Sequence, residues 1–191
     1  YGGKSAPTPA LAAAGAQIVF SCVGNDDDVR AISTGPDGAF SAMASDSIFV
    51  DHITASAEMA RELAAKCADK GIAFLDAPVS GGAVKAESGE MTIMASGAVS
   101  TFEALTPVLD ATAAKVYNIG EAIGLGATVK IIHQLLAGVH IAAGAEAMAL
   151  AARANIPLDL MYDVVTNAAG NSWMFENRTK HVVDGDYSPK S

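Results

Sequence analysis

Residues 56–82 read SAEMARELAAKCADKGIAFLDAPVSGG. The first part predicts an amphipathic helix over Ser56–Lys70, with Met59, Leu63 and Cys67 on one face and Gly71 closing the last turn. Ala73–Asp76 then reads as a short buried strand. The same alternation continues outward. Upstream, Ser47–Val50 predicts a strand ending at Asp51, and Ile18–Val23 a buried strand with β-branched content. Asp26, Asp27 and Asp28 supply cap and first-turn acids for a helix through about Ile32, and Pro9–Gly15 reads as a short helix after an irregular start over 1–9. Downstream, Met91–Ser96 and Lys115–Asn118 predict strands, with a helix over Ser100–Ala113 broken at Pro107. Strands alternating with helices imply a parallel sheet covered on both faces.

After Gly120 the texture changes. Gly124–Asn155 is one alanine-rich helical segment, which at 1.5 Å per residue would span about 45 Å. Leu158–Asn167 and Trp173–Val183 predict two further helices. The fold class is α/β: a partial Rossmann-type parallel sheet followed by an all-α domain entered through a long helix. Residues 1–119 read as an incomplete dinucleotide-binding domain, without a glycine-rich strand–turn–helix, and 120–191 as a partial helical domain.

The 191 residues are 51% hydrophobic and 17% charged, enough apolar content for a real core. A net charge of −9 argues against nucleic acid or an anionic membrane surface as partner, because both need basic patches. Cys22 and Cys67 stand at no metal-ligand spacing and read as buried thiols, in keeping with a reducing cytoplasm. The most apolar stretch, 123–152, is interrupted by Lys130, His133, His140 and Glu146, so no uninterrupted membrane-length run is expected.

Two motifs carry chemistry. Ser80-Gly81-Gly82 follows the strand at 73–76, where ligands of open α/β sheets bind. Two glycines let backbone N–H groups turn toward an anion, and the Ser80 hydroxyl can donate; an ordinary tight turn is the alternative. Further on, Gly124, Gly126, Lys130, His133 and Gln134 open the long helix. Glycines there permit a close approach to the backbone. Lys130, His133 and Gln134 at i, i+3 and i+4 share one face among apolar neighbours. A buried ammonium there would lose its proton more readily, which suits proton transfer; a lysine snorkelling to the surface is the alternative.

Together, DAPVSGG at 76–82 and G-x-G-x-x-x-K at 124–130 resemble the β-hydroxyacid (3-hydroxyisobutyrate) dehydrogenase family. The resemblance implies that Ser80, Gly81 and Gly82 hold a substrate carboxylate and that Lys130 is the catalytic lysine. Where the family usually has asparagine four residues after that lysine, this chain has Gln134, preceded by His133. The run KIIHQLLAGVHIAAGAEAMALAARA and GNSWMFENR at 170–178 are similar to the L-threonate dehydrogenase branch, which implies a four-carbon sugar acid as substrate. A polyhydroxylated substrate needs more hydrogen-bond partners, which His133 and Gln134 would supply. The cofactor implied is NAD or NADP, with Val23 and Gly24 giving backbone contacts and Thr54 lying near the nicotinamide. In the matching stretch Asp51-His52-Ile53-Thr54, His52 and Ile53 depart from the family's small residues. Trp173 and Phe175 are candidates for the substrate pocket wall. The glycine fingerprint and the family's C-terminal lysine motif are not in the chain, which on this reading is a fragment lacking both termini. A glyoxylate, succinic semialdehyde or tartronate semialdehyde reductase is the alternative within the family, and a truncated, non-catalytic binding or assembly module the alternative outside it. A small-residue stripe, Ala137, Gly138, Ile141, Gly144, Ala145 and Met148, predicts a homodimer or homotetramer through the helical domain.

Overall fold

The structure, a computed structural model, describes residues 2–188. It divides into two compact units, Tyr1–Ile131 and Ile132–Ser191. In the first, α1 (Pro9–Ala13), β1 (Ile18–Ser21), α2 (Asp26–Ser33), β2 (Ile48–Asp51), α3 (Ala57–Ala68) and β3 (Ala73–Asp76) alternate in the expected order. Then come β4 (Val79–Ser80), α4 (Gly82–Ser88), β5 (Met91–Ser96), α5 (Val99–Asp110) and β6 (Ala113–Gly120). Local chemistry sets the boundaries. The Asn25 side chain caps α2 through Asp28 N–H, and the Ser56 hydroxyl caps α3 through Met59 N–H.

β1, β2 and β3 are parallel neighbours in register, and β5 and β6 form a second parallel pair. Successive residues of β2 and β3 face opposite sides of the sheet, as the period of two requires. Phe49 and Phe74 join a core with Val29, Met59, Leu63 and Cys67. Val50 and Leu75 join another with Ile93, Leu105 and Leu109. Both faces are therefore buried, which is why these strands are continuous apolar runs.

The sheet is not parallel throughout. Beyond Asp76 the chain passes through the fully buried Pro78, whose carbonyl accepts from Met94 N–H at 3.0 Å, and β4 runs antiparallel to β5. A parallel return would need a crossover of a dozen or more residues; α4 fills the shorter antiparallel connection instead. No sequence pattern marks α4, whose start and end are set by glycines: Gly82 has φ 65° and the C-cap Gly89 has φ 70°.

Two other expectations are corrected. Cys67 is buried, but Cys22 is exposed because β1 ends at Ser21 and Cys22 leaves the sheet. Pro107 does not break α5. It sits near the C-terminal end, and Glu103, whose carbonyl loses its i+4 donor, is exposed and open to water. The start of the chain is irregular from residue 2 to α1; Tyr1 lies outside the described residues.

α6 (Leu125–Arg153) begins in the first unit and runs on into the second, where α7 (Leu158–Thr166) and α8 (Trp173–Asp184) follow. Phe175 of α8 is buried in that unit. It stacks on Tyr162 with ring centroids 6.0 Å apart and lies under Gly144, where a Cβ would meet it at 3.0 Å. Among the described residues, α6 is the one helix long and apolar enough to cross a membrane by length and composition, although polar residues interrupt its apolar run. Its first turns are nonetheless packed on the sheet, with Gly126, Ala127 and Lys130 all buried.

Candidate active site

One row of polar residues crosses the sheet at the strand ends, where open α/β sheets bind ligands. Ser21, Asp51, Asp76 and Ser96 are in register on β1, β2, β3 and β5, and all four are buried. The Ser21 hydroxyl donates to Asp51 Oδ1 at 2.6 Å, and Ile53 N–H donates to the same oxygen at 3.3 Å. Burial outweighs these bonds and pushes the Asp51 carboxyl up to about 6. Asp76 Oδ2 accepts from the Ser96 hydroxyl at 3.0 Å, from Gly124 N–H at 3.1 Å and from Ala127 N–H at 3.0 Å. Burial raises this carboxyl too, opposed by those donors.

The bonds from Gly124 and Ala127 fasten the start of α6 to the end of β3. Gly126 N–H donates to Ser96 Oγ at 3.0 Å, fastening it to β5 as well. The contact is so close that a Cβ on Gly126 would lie 2.5 Å from the Met94 carbonyl oxygen. The glycines that open the helix therefore admit the protein's own strand ends. Lys130 stands one turn further along the helix and is 6% exposed. Burial lowers its pKa below the ordinary lysine value of 10.5. A neutral amine at this place can accept a proton, and its ammonium can return one.

Ser80 is half-buried at the end of β4, and Gly81 and Gly82 have φ of 140° and 65°. A Cβ on Gly81 would meet the Lys85 Cβ at 2.6 Å, so the turn requires glycine there. Val23 is half-buried against the β1–β3 core, Gly24 is exposed after β1, and Thr54 is exposed after β2. His133 and Gln134 belong to the second unit, where both are exposed and His133 Nδ1 donates to Gln134 Oε1 at 3.1 Å. That unit also holds a cleft of about 280 Å³ lined by His140, Gly144, Asn171 and Phe175 among others. Phe175 thus serves as core and cleft wall together, whereas Trp173 is 56% exposed.

Sequence reasoning overlooked three members of this edge. Asp51 and Ser96 read only as strand ends. His52 read only as a departure from small residues. In the structure His52 Nδ1 donates to the Ala77 carbonyl at 2.6 Å, and the ring stacks on Phe20 with centroids 5.2 Å apart. Burial lowers its pKa, which favours the neutral ring, and with Nδ1–H donating to the carbonyl Nε2 is then an acceptor.

A mostly parallel sheet with polar residues at its strand ends is the frame on which open α/β proteins bind dinucleotides. Residues 1–120 match the family model described as the NAD binding domain of 6-phosphogluconate dehydrogenase, and residues 124–191 match that described as NAD-binding of NADP-dependent 3-hydroxyisobutyrate dehydrogenase. The chain belongs to this 3-hydroxyisobutyrate dehydrogenase family. It is 59% identical over 194 residues to the L-threonate dehydrogenase of Haemophilus influenzae, covering 98% of this chain and 64% of that protein. It is 74% identical over 138 residues to the L-threonate dehydrogenase of Pectobacterium atrosepticum, covering 72% of this chain and 45% of that one. A crystal structure described as 3-hydroxyisobutyrate dehydrogenase from Salmonella typhimurium superposes with a TM-score of 0.91 at 56% identity, covering 96% of this chain and 64% of that one. The chain thus spans less than two thirds of the length of these relatives.

Proposed function

We propose that the protein is an NAD(P)-dependent hydroxyacid dehydrogenase whose substrate is a four-carbon sugar acid such as L-threonate. The observation that carries this reading is a buried lysine on a helix start fastened to the ligand-binding edge of the sheet. The names of the two relatives support the choice of substrate. Residues 1–119 act as part of the dinucleotide-binding domain and 120–191 as part of the helical domain.

The residues after β1 and β2 fit a nicotinamide cofactor. Gly24 and Thr54 are exposed there, and Gly24 has no side chain to obstruct approach. Val23, Gly24 and Thr54 would hold the cofactor, which when bound supplies hydride exchange. Ser80 with the backbone of Gly81 and Gly82 fixes the substrate carboxylate. Lys130 Nζ would accept the proton of the substrate hydroxyl during oxidation and return it during reduction. On spacing from Lys130, His133 and Gln134 are assigned to the remaining substrate hydroxyls. The protein acts in the cytoplasm as a homodimer or homotetramer through its helical part.

The name of the Salmonella structure favours a second reading, in which the substrate is 3-hydroxyisobutyrate. Steady-state turnover of the full-length protein with L-threonate and 3-hydroxyisobutyrate, each with NAD and NADP, tests both. The proposal expects kcat/KM to favour L-threonate by about a hundredfold or more, within the reach of a site that pairs substrate hydroxyls. Preference for 3-hydroxyisobutyrate would replace it with the second reading.

A further inference from the structure

We infer that Asp76, assisted by Ser96, is a positioning residue for Lys130, acting as a helix cap supplied from the sheet. The inference rests on the role proposed for Lys130 above. Every α-helix begins with N–H groups that lack partners inside it, and these normally find a local serine, threonine, aspartate or asparagine. α6 opens on Gly124-Leu125-Gly126-Ala127, which has none of these side chains. Leu125 N–H donates to the Ala122 carbonyl at 3.3 Å, and the donors on either side of it are met from strands instead. Ala127 N–H and Gly124 N–H go to Asp76 Oδ2, and Gly126 N–H goes to Ser96 Oγ, which itself donates to Asp76 Oδ2. The sequence separations are 51, 48 and 30 residues, so the cap exists only in the folded sheet.

Three further features make this a registration device. Asp76 and Ser96 are paired across β3 and β5, so one sheet position presents both acceptors. The carboxylate meets the positive end of the helix dipole. Gly126 allows no slack, since a Cβ there would also lie 2.9 Å from the Asp76 carbonyl oxygen. Lys130 follows Gly126 by four residues and Ala127 by three, on the same helix face as the anchored turn. Anchoring that turn sets the height and rotation of the lysine over the strand ends. Reactions of this kind are sensitive to such placement: about 1 Å of displacement can cost about a hundredfold. A residue that only stabilised the fold would have no such effect on the chemical step.

The test uses full-length protein with Asp76→Ala, Asp76→Asn, Ser96→Ala and Lys130→Ala. The readouts are kcat, KM, the thermal midpoint, and the pH dependence of Lys130 acylation by a small amine-reactive reagent. For Asp76→Ala we expect kcat to fall about 10- to 100-fold with both KM values within about threefold. Asp76→Asn, which keeps an oxygen acceptor, and Ser96→Ala should lose less. In each, the inflection for Lys130 labelling should move toward the ordinary lysine value as water reaches the amine. Should Asp76→Ala fail to fold, the two milder variants carry the same readouts. A lowered thermal midpoint with kcat and Lys130 labelling unchanged would overturn the positioning role. If Lys130→Ala turned over at the native rate, the role of Lys130 would fail and take this inference with it. If Lys130→Ala were inactive while folded Asp76 variants kept native kcat, the inference alone would fail.

Discussion

The two units bury their apolar residues to different degrees. In the α/β unit, β2 and β3 sink alternate side chains into cores on both faces, and Leu63, Leu75, Leu105 and Leu109 are fully buried. In the helical unit, Gly144, Met148, Ala151, Phe175 and Thr179 are buried, while Leu135 is 66% and Leu150 is 69% exposed. Leu136, Val139, Leu160 and Val164 are exposed as well. A sheet with helices on both faces closes its own core. Three helices with a long, nearly all-round apolar member do not, and a helix apolar on every side calls for cover on every side. The same fact explains why α6 is long and apolar enough to cross a membrane by length and composition. The proposal of a second copy packing on the helical unit follows from this contrast.

Predictions can break the contrast or sharpen it. The largest effect belongs to the α/β unit: Lys130→Ala should lower kcat for L-threonate oxidation by about 10²- to 10⁴-fold, read by steady-state kinetics. Next, Leu63→Ala should destabilise the protein by about 2–5 kcal/mol in denaturant unfolding, because it empties a site with no accessible surface. Leu135→Ala would cost no more than about 0.5 kcal/mol in an isolated copy, but with a second copy packed on the helical unit it should cost more, and increasingly so at higher protein concentration. A cost of about 0.5 kcal/mol at every concentration would contradict cover of Leu135 by a partner copy.

A subtler effect concerns Asp51. Its carboxyl stands at about 6 against an ordinary 3.8, so the folded state favours the protonated form. Its ionisation therefore costs stability progressively as pH rises from about 4 to about 6, and the full cost persists above. Asp51→Asn should remove this cost and stabilise the protein at neutral pH by up to about 2–3 kcal/mol, with the difference vanishing below about pH 4. Urea unfolding across that range would show it; parallel curves for the two proteins would contradict the burial argument. The smallest effect is chemical. Exposed Cys22 should react with a thiol reagent in the native state, whereas Cys67, whose thiol burial pushes up to about 12, should react only on unfolding.

Much of the architecture was legible because the deciding patterns were local. Met59, Leu63 and Cys67 mark the face of α3, and apolar runs mark β2, β3 and β5. The antiparallel β4 and the short α4 were not legible, because positive φ at Gly81, Gly82 and Gly89 sets that connection and glycine identity does not reveal φ. At the site, Lys130 and the Ser80–Gly82 turn carried a signal in spacing. The linkage among Asp76, Ser96 and the start of α6 did not, because it joins residues 30 to 51 positions apart. One clue was available: a long helix that opens on glycines without a capping side chain needs acceptors from elsewhere.

The central claim is that a buried, readily deprotonated Lys130 moves the proton. It is tested most directly by the pH dependence of kcat/KM for L-threonate oxidation in the full-length protein and in Lys130→Arg. The account predicts that activity rises through an inflection below the ordinary lysine value of 10.5 and that Lys130→Arg, which cannot release its proton, loses this limb and about a hundredfold or more in rate. The same limb in Lys130→Arg, with turnover within about tenfold of the native protein, would contradict it.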